Sequence, residues 1–105
     1  MLLETVVCSA RPGREKRLKR LLETRRVYRR RCEGCSAAWL AESTDESHTF
    51  LVQAVFDDEG VWRRISEQIN TELDSRDGGI DSCLAGPPLV GMFKIEALSE
   101  LFTQD

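Results

Sequence analysis

The sequence predicts a single α+β domain in which a four-stranded antiparallel sheet carries two helices on one face. Its length of 105 residues suits one domain spanning residues 1–105. Four short runs are rich in apolar and β-branched residues, which is typical of strands. Two longer stretches repeat apolar residues at helical spacing. The segments follow one another in the order βαββαβ, which is the ferredoxin-like arrangement.

The first half of the chain supplies a strand, a helix and a second strand. The first strand is predicted over Leu2–Ala10 and ends at Pro12. A helix is predicted over 14–31, because apolar residues recur there at spacings of three and four, and Gly34 is a stop signal. The second strand is predicted over Cys35–Glu42. The stripe of the helix comprises Leu18, Leu21, Leu22, Arg25 and Tyr28.

The second half repeats this order after a polar turn at 43–47. The third strand is predicted over His48–Phe56, and Asp57 or Asp58 is expected to cap the next helix. That helix presents Val61, Trp62, Ile65 and Ile69 on one face and ends near 77–79. The last strand is predicted over Leu89–Ala97, and the residues after it are expected to form a short helical tail.

The third strand predicts a homodimer. Phe50, Val52 and Val55 make it apolar on both faces, and only Gln53 interrupts the run. An antiparallel sheet with one solvated face alternates apolar and polar residues, and two helices cover only one face. We therefore expect a second copy to cover the other face, so that two sheets form a dimeric α/β barrel.

The charge is distributed unevenly along the chain. Between Arg11 and Arg31 there are eleven basic and two acidic residues, a net charge of +9, whereas the remainder has 4 basic and 16 acidic residues, or −12. Such a segment fits either a nucleic-acid or anion-binding helix or a solvated helix face. The acidic pI of 5.2 favours the solvated face. We therefore predict no nucleic-acid partner.

The four cysteines predict neither a metal site nor redox chemistry. Cys32 and Cys35 form a C-x-x-C pair, which elsewhere is redox-active or half of a zinc site. Cys8 and Cys83 are isolated, and His48 is the lone histidine.

No apolar run approaches the ~20 residues that cross a bilayer. With no basic leader at the start, we expect a cytoplasmic protein without membrane contact.

Three motifs, in their order and spacing, resemble those of a known family. They are Arg11-Pro12-Gly13-Arg14-Glu15 after the first strand, Glu33-Gly34-Cys35, and the run from Phe50 to Trp62. Together they are similar to the antibiotic-biosynthesis monooxygenase-like domain of the dimeric α/β barrel superfamily. The resemblance covers roughly residues 2–97.

The resemblance implies a cleft between the sheet and the helices of each subunit. Some members of the superfamily oxidise polycyclic phenols there with molecular oxygen and no cofactor, and others degrade haem. The haem-degrading branch carries an asparagine on the first strand, a tryptophan closing the third and a histidine on the second helix. This chain has Val6, Phe56 and Ser66 at about those places, so haem degradation is not expected.

Four residues are predicted to bind the substrate. Trp62 and Phe56 would form apolar walls, and Tyr28 and Arg25 would contact a phenolate. Each also has a structural interpretation, since aromatic residues at helical spacing pack in cores and an arginine there can extend to solvent. Glu4 is a candidate base if it is buried. No catalytic residue is identified from the sequence.

The function predicted from these observations is a cofactor-independent monooxygenase acting on an aromatic or quinone-like small molecule. The alternative is a non-catalytic module of the same dimeric fold that binds a small molecule or a protein. An evident base and metal ligands are missing from the sequence, which favours the alternative, whereas the family resemblance favours the enzyme. No metal or organic cofactor is expected in either case.

Overall fold

The computed structural model of the chain describes residues 1–96 and confirms the predicted order of elements. Between the second helix and the last strand lie a π-helical turn (Asn70–Asp74), one short helical turn (Ser75–Asp77) and a 3-10 turn (Asp81–Cys83). The main elements are β1 (Leu2–Ser9), α1 (Glu15–Arg31), β2 (Cys35–Glu42), β3 (Thr49–Phe56), α2 (Glu59–Ile69) and β4 (Leu89–Lys94).

The four strands form one antiparallel sheet in the order β2-β3-β1-β4. In the register of β1 and β3, Glu4 lies opposite Ala54 and Cys8 lies opposite Phe50. β2 pairs with the other side of β3, with an irregularity between Cys35 and Ala37. This topology is the predicted ferredoxin-like fold, and it places β1 and β3 at the centre of the sheet.

The core lies between the sheet and the two helices. Alternate residues of β3 point to the helices, as strand geometry requires, and they are nearly inaccessible to solvent. Two clusters form: one packs Phe50 and Val52 against α1, and the other packs Ala54 and Phe56 against α2. Burial of such an apolar side chain stabilises the fold by about 1.5–3 kcal/mol, so these alternate residues of β3 hold both helices against this face of the sheet.

The connection from α1 to β2 requires a glycine. Gly34 has φ +93, a conformation that side chains with a Cβ rarely adopt. A Cβ added there would lie 2.6 Å from Cγ1 of Val61 on α2. The Gly34 carbonyl also accepts the backbone N–H of Asp57 at 2.9 Å. Because of this close approach, α2 packs against the start of β2.

Of the two candidate caps, Asp58 caps α2, and its carboxylate accepts the N–H of Val61 at 2.8 Å.

Some boundaries differ from the prediction by one residue. β1 ends at Ser9, although Ala10 still forms a single bridge to Leu84. β3 begins at Thr49 because His48 has φ +55, which is incompatible with a pleated strand.

Three further element boundaries bear on the prediction. α1 begins at Glu15. The helical path after α2 ends at Gly78, which has the left-handed φ of +84, as predicted. β4 ends at Lys94, earlier than expected, and the predicted last strand residue Ala97 and the helical tail lie outside the described residues.

The second face of the sheet carries a polar chain between apolar residues. Trp39 Nε1–H donates to Gln53 Oε1 at 2.9 Å, and Gln53 Nε2 donates to Thr5 Oγ1 at 3.0 Å. Leu3, Val7 and Leu51 on this face are only partly buried. On the edge strand β4, Leu89 and Phe93 are 74% and 54% exposed. This face therefore keeps substantial apolar surface in contact with solvent in a single copy.

Candidate functional site

A carboxylate lies beneath the helices at the centre of the sheet. Glu4 is on β1, with the same orientation as Val6 and Cys8, which both join the core of the helix face. The indole Nε1–H of Trp62 on α2 donates to Glu4 Oε2 at 2.8 Å. Both residues are partly buried. The fold therefore places a hydrogen-bonded, oriented carboxylate on the helix-facing side of the sheet.

An arginine that the sequence pattern did not single out lies close enough to Glu4 for the two charges to interact. Arg29 on α1 is partly buried, and its guanidinium has no hydrogen-bond or ion-pair partner within residues 1–96. Burial lowers the pKa of Arg29, and the nearby carboxylate of Glu4 opposes that shift. Charged groups in protein interiors are normally paired, so this free cation is the unusual electrostatic feature of the cleft.

A cavity of about 400 Å³ opens between α1, α2 and the segment 78–81. Its volume falls within the range of small-molecule sites, about 300–1,000 Å³. Its lining combines basic, acidic, polar and apolar side chains. The lining residues include Arg29, Ser66, Ile69, Asn70, Ile80 and Asp81.

Arg25 was expected to contact a substrate or to extend into solvent, but it is buried in an ion-pair network. Its side chain is only 4% exposed. Its two terminal nitrogens donate to both carboxylate oxygens of Asp77, at 3.1 and 2.9 Å, and one of them also donates to Asp74. Nη1 donates to the carbonyl of Leu21 as well. Hence Arg25 shapes the cavity wall, and most of its hydrogen-bonding capacity is used within the protein.

Phe56 is a buried member of the second core cluster, and Tyr28 packs against that cluster. The hydroxyl of Tyr28 donates to Glu72 Oε2 at 2.8 Å near the surface, and this hydrogen bond raises the pKa of Tyr28 to about 12. Phe56 is 0% exposed and packs with Ile65 and Ile69. Of the four predicted binding residues, only Trp62 contacts the carboxylate of the cleft; substrate contact by the four stays a prediction.

Arg29 could have been found from the pattern of α1. The buried stripe continues from Leu18 and Leu22 through Arg25, and Arg29 lies one turn beyond Arg25. Two basic residues at core-facing positions of a helix indicate that each needs a compensating partner, because the burial of an unpaired charge is unfavourable. Within residues 1–96, Arg25 has such a partner and Arg29 has none.

The cysteines are free thiols, and three of them are buried. Burial raises the pKa of Cys8, Cys32 and Cys35, which disfavours the reactive thiolate. Within residues 1–96, no three side chains of His, Cys, Asp or Glu are grouped to hold a metal ion. Across the same range, every helix is too short or too polar to cross a bilayer.

The chain has the ferredoxin-like α+β fold of proteins named antibiotic biosynthesis monooxygenases, over about nine-tenths of its length. This confirms the resemblance expected from the sequence motifs. No family model and no curated protein matches the chain, so the likeness is seen in the solved structures.

Three of these structures are informative. A protein from Pseudomonas aeruginosa is 24% identical, with a TM-score of 0.76, covering 91% of this chain and 94% of its own. A candidate antibiotic biosynthesis monooxygenase from Nitrosomonas europaea is 16% identical, with a TM-score of 0.78, covering 90% and 97%. SnoaB, a cofactor-independent oxygenase from Streptomyces nogalater, is 14% identical, with a TM-score of 0.74, covering 92% and 95%. At these identities the comparisons establish the fold.

Proposed function

We propose that the protein is a cofactor-independent monooxygenase that oxidises a hydroxylated aromatic or quinone-like molecule in the cleft between helices and sheet. The observation that carries the proposal is the hydrogen bond from Trp62 to Glu4, which orients a carboxylate beneath the helices. Arg29 adds a positive charge close enough to act on Glu4. The fold shared with SnoaB, a cofactor-independent oxygenase, supports the reaction class.

The reaction balances without a cofactor because the substrate supplies all the electrons. Glu4 accepts the phenolic proton, which makes the ring an electron-rich phenolate. A ring carbon that carries hydrogen then bonds to one atom of O₂ and becomes a quinone carbonyl. The other oxygen atom leaves as water with the ring hydrogen and the phenolic proton. The substrate loses four electrons and O₂ gains four.

Each group in the cleft has a proposed role in this scheme. Glu4 is the general base, and Trp62 holds it in one orientation through the 2.8 Å hydrogen bond. Trp62 supplies an apolar wall, and the fully buried Phe56 supports it from within the same core cluster. Tyr28 and Arg25 border the site, with Arg25 holding the cavity wall in place.

The proposal is tested by oxygen uptake of metal-stripped protein with a panel of dihydroxylated aromatic substrates. Trp62→Phe keeps an aromatic ring but removes the donor to Glu4, so turnover should fall at least tenfold, about 1.4 kcal/mol of transition-state stabilisation. Trp39→Phe is the matched control, because it removes an indole donor to Gln53 on the opposite face. We expect the control to retain wild-type turnover.

Absence of uptake across the panel would contradict the proposal, and so would an equal loss in both tryptophan variants. The second candidate function is then a non-catalytic module that binds a small molecule in the same cavity. It is favoured by the engagement of Tyr28 with Glu72 and of Arg25 with Asp77, which leaves few polar groups free for chemistry. Saturable binding of the aromatic panel without oxygen uptake would identify it.

We also propose that two copies pair through the second sheet face, as the sequence analysis expects. The exposed side chains of Leu89 and Phe93 and the partly exposed Leu51 support this pairing. The unpaired edge of β4 supports it too, because exposed apolar edges are normally covered in native proteins. The partner is a second copy of this chain, since symmetric homodimers are the commonest soluble assemblies.

A further inference from the structure

We infer that the cavity between α1 and α2 binds the carboxylate of its ligand through Arg29. The ligand class is therefore an aromatic acid, a ring system that bears a carboxylate. This inference rests on the proposed function for the identity of the ring, and on Arg29 alone for the carboxylate.

The observation behind this inference is the free guanidinium of Arg29. Within the described part of the chain, Arg29 donates no hydrogen bond and forms no ion pair, yet it is partly buried and lines the cavity. A guanidinium offers a planar fork of N–H donors that matches a carboxylate in a bidentate arrangement. Removing such a cation from water without a partner is unfavourable. A ligand carboxylate would provide the missing compensation.

Two polar side chains at the C-terminal end of α2 complete the subsite. Ser66 and Asn70 are one helical turn apart and line the same cavity as Arg29. Neither side chain makes a hydrogen bond within residues 1–96. A hydroxyl and an amide can both donate to carboxylate oxygens that the guanidinium leaves free. Ile69 and Ile80 supply the apolar lining that an aromatic ring requires.

The other charged groups around the cavity determine how strongly it attracts an anion. Arg25 is paired with Asp74 and Asp77, so these three groups largely offset one another. Glu4 acts on Arg29 through space but forms no ion pair with it within residues 1–96. Asp81 lines the cavity, is exposed and disfavours a bound anion. Arg29 is thus left as the cation available to a ligand.

Calorimetric titration under nitrogen tests the inference without turnover. The probes are a hydroxynaphthoate and the corresponding naphthol without the carboxylate. Wild-type protein should bind the acid at least tenfold more tightly than the naphthol. Arg29→Gln should abolish that preference, whereas Arg20→Gln, an exposed arginine of the same helix, should keep it. Asp81→Asn should tighten binding of the acid and leave the naphthol unchanged.

Equal affinity for acid and naphthol in the wild-type protein would overturn the inference, and so would an unchanged preference in Arg29→Gln. Because Arg29→Gln could disturb folding, Arg29→Lys is measured beside it; it keeps the charge but loses the fork, so a reduced preference is expected. Oxygen uptake is measured separately. A carboxylate preference without oxygen uptake rejects the oxygenase and supports the subsite. Oxygen uptake without the carboxylate preference supports the oxygenase and rejects the subsite.

Discussion

At the scale of single residues, the two buried basic positions of α1 have different consequences. Arg25 is compensated by Asp74 and Asp77, and the second of these carboxylates also accepts the N–H of Gly79 at 2.9 Å. The Arg25 guanidinium holds the pKa of Asp77 below its ordinary value. Arg29 has no such partner in the described chain. Arg25 therefore serves stability, and Arg29 is available for binding.

The Arg25–Asp77 pair predicts a defined pH dependence of stability. Because the pKa of Asp77 is depressed in the folded state, its contribution is fully present above the ordinary pKa of 3.8 and is lost as pH falls through the folded-state value. Asp77→Asn should lower the free energy of unfolding by about 1–2 kcal/mol at neutral pH. Urea unfolding of both proteins from neutral pH down to about pH 2 measures the difference.

The two unfolding curves should converge as the acid limit is approached. The control is Glu59→Gln, which removes an exposed i,i+4 partner of Arg63. Exposed pairs of this kind contribute little, so we expect a much smaller change in the free energy of unfolding. A difference between wild type and Asp77→Asn that is constant at all pH values would contradict the role given to the pair.

At the scale of elements, local sequence signals predict helices and strands correctly where a single signal dominates. Cys35–Glu42 was predicted at both ends, and Asp58 was one of two predicted caps for α2. The helical path from α2 to Asp77 passes through a π-helical turn over Asn70–Asp74, which no propensity signals. That path brings Asp74 and Asp77 to Arg25, a contact between distant segments that sequence spacing cannot reveal.

The candidate site was predictable only in part for the same reason. Helical spacing placed Trp62 on the buried face of α2, and strand alternation left two choices for the inward face of β1. The register of β1 with β3 decides between them and turns Glu4 toward Trp62. The sequence alone does not distinguish Arg29 from the other basic residues of α1, because whether its guanidinium has a partner depends on the positions of all its neighbours.

At the scale of the whole molecule, the second sheet face predicts a stable homodimer. Sedimentation at low micromolar concentration should give about twice 11.9 kDa. Leu51→Lys places a charge in the centre of the partly exposed apolar face and should produce a monomer. Glu67→Lys introduces the same residue on the exposed side of α2 and should leave the dimer intact. A folded wild-type monomer at that concentration would contradict the proposed assembly.

The central claim is that the cleft transfers one atom of molecular oxygen to an aromatic substrate. The most direct measurement is mass spectrometry of the product formed by metal-stripped protein under oxygen labelled with the heavy isotope. The account predicts one labelled oxygen atom in each product molecule, with product formation reduced at least tenfold in Glu4→Gln. A product that carries oxygen from water instead, or no product from the hydroxylated aromatic panel, would contradict it.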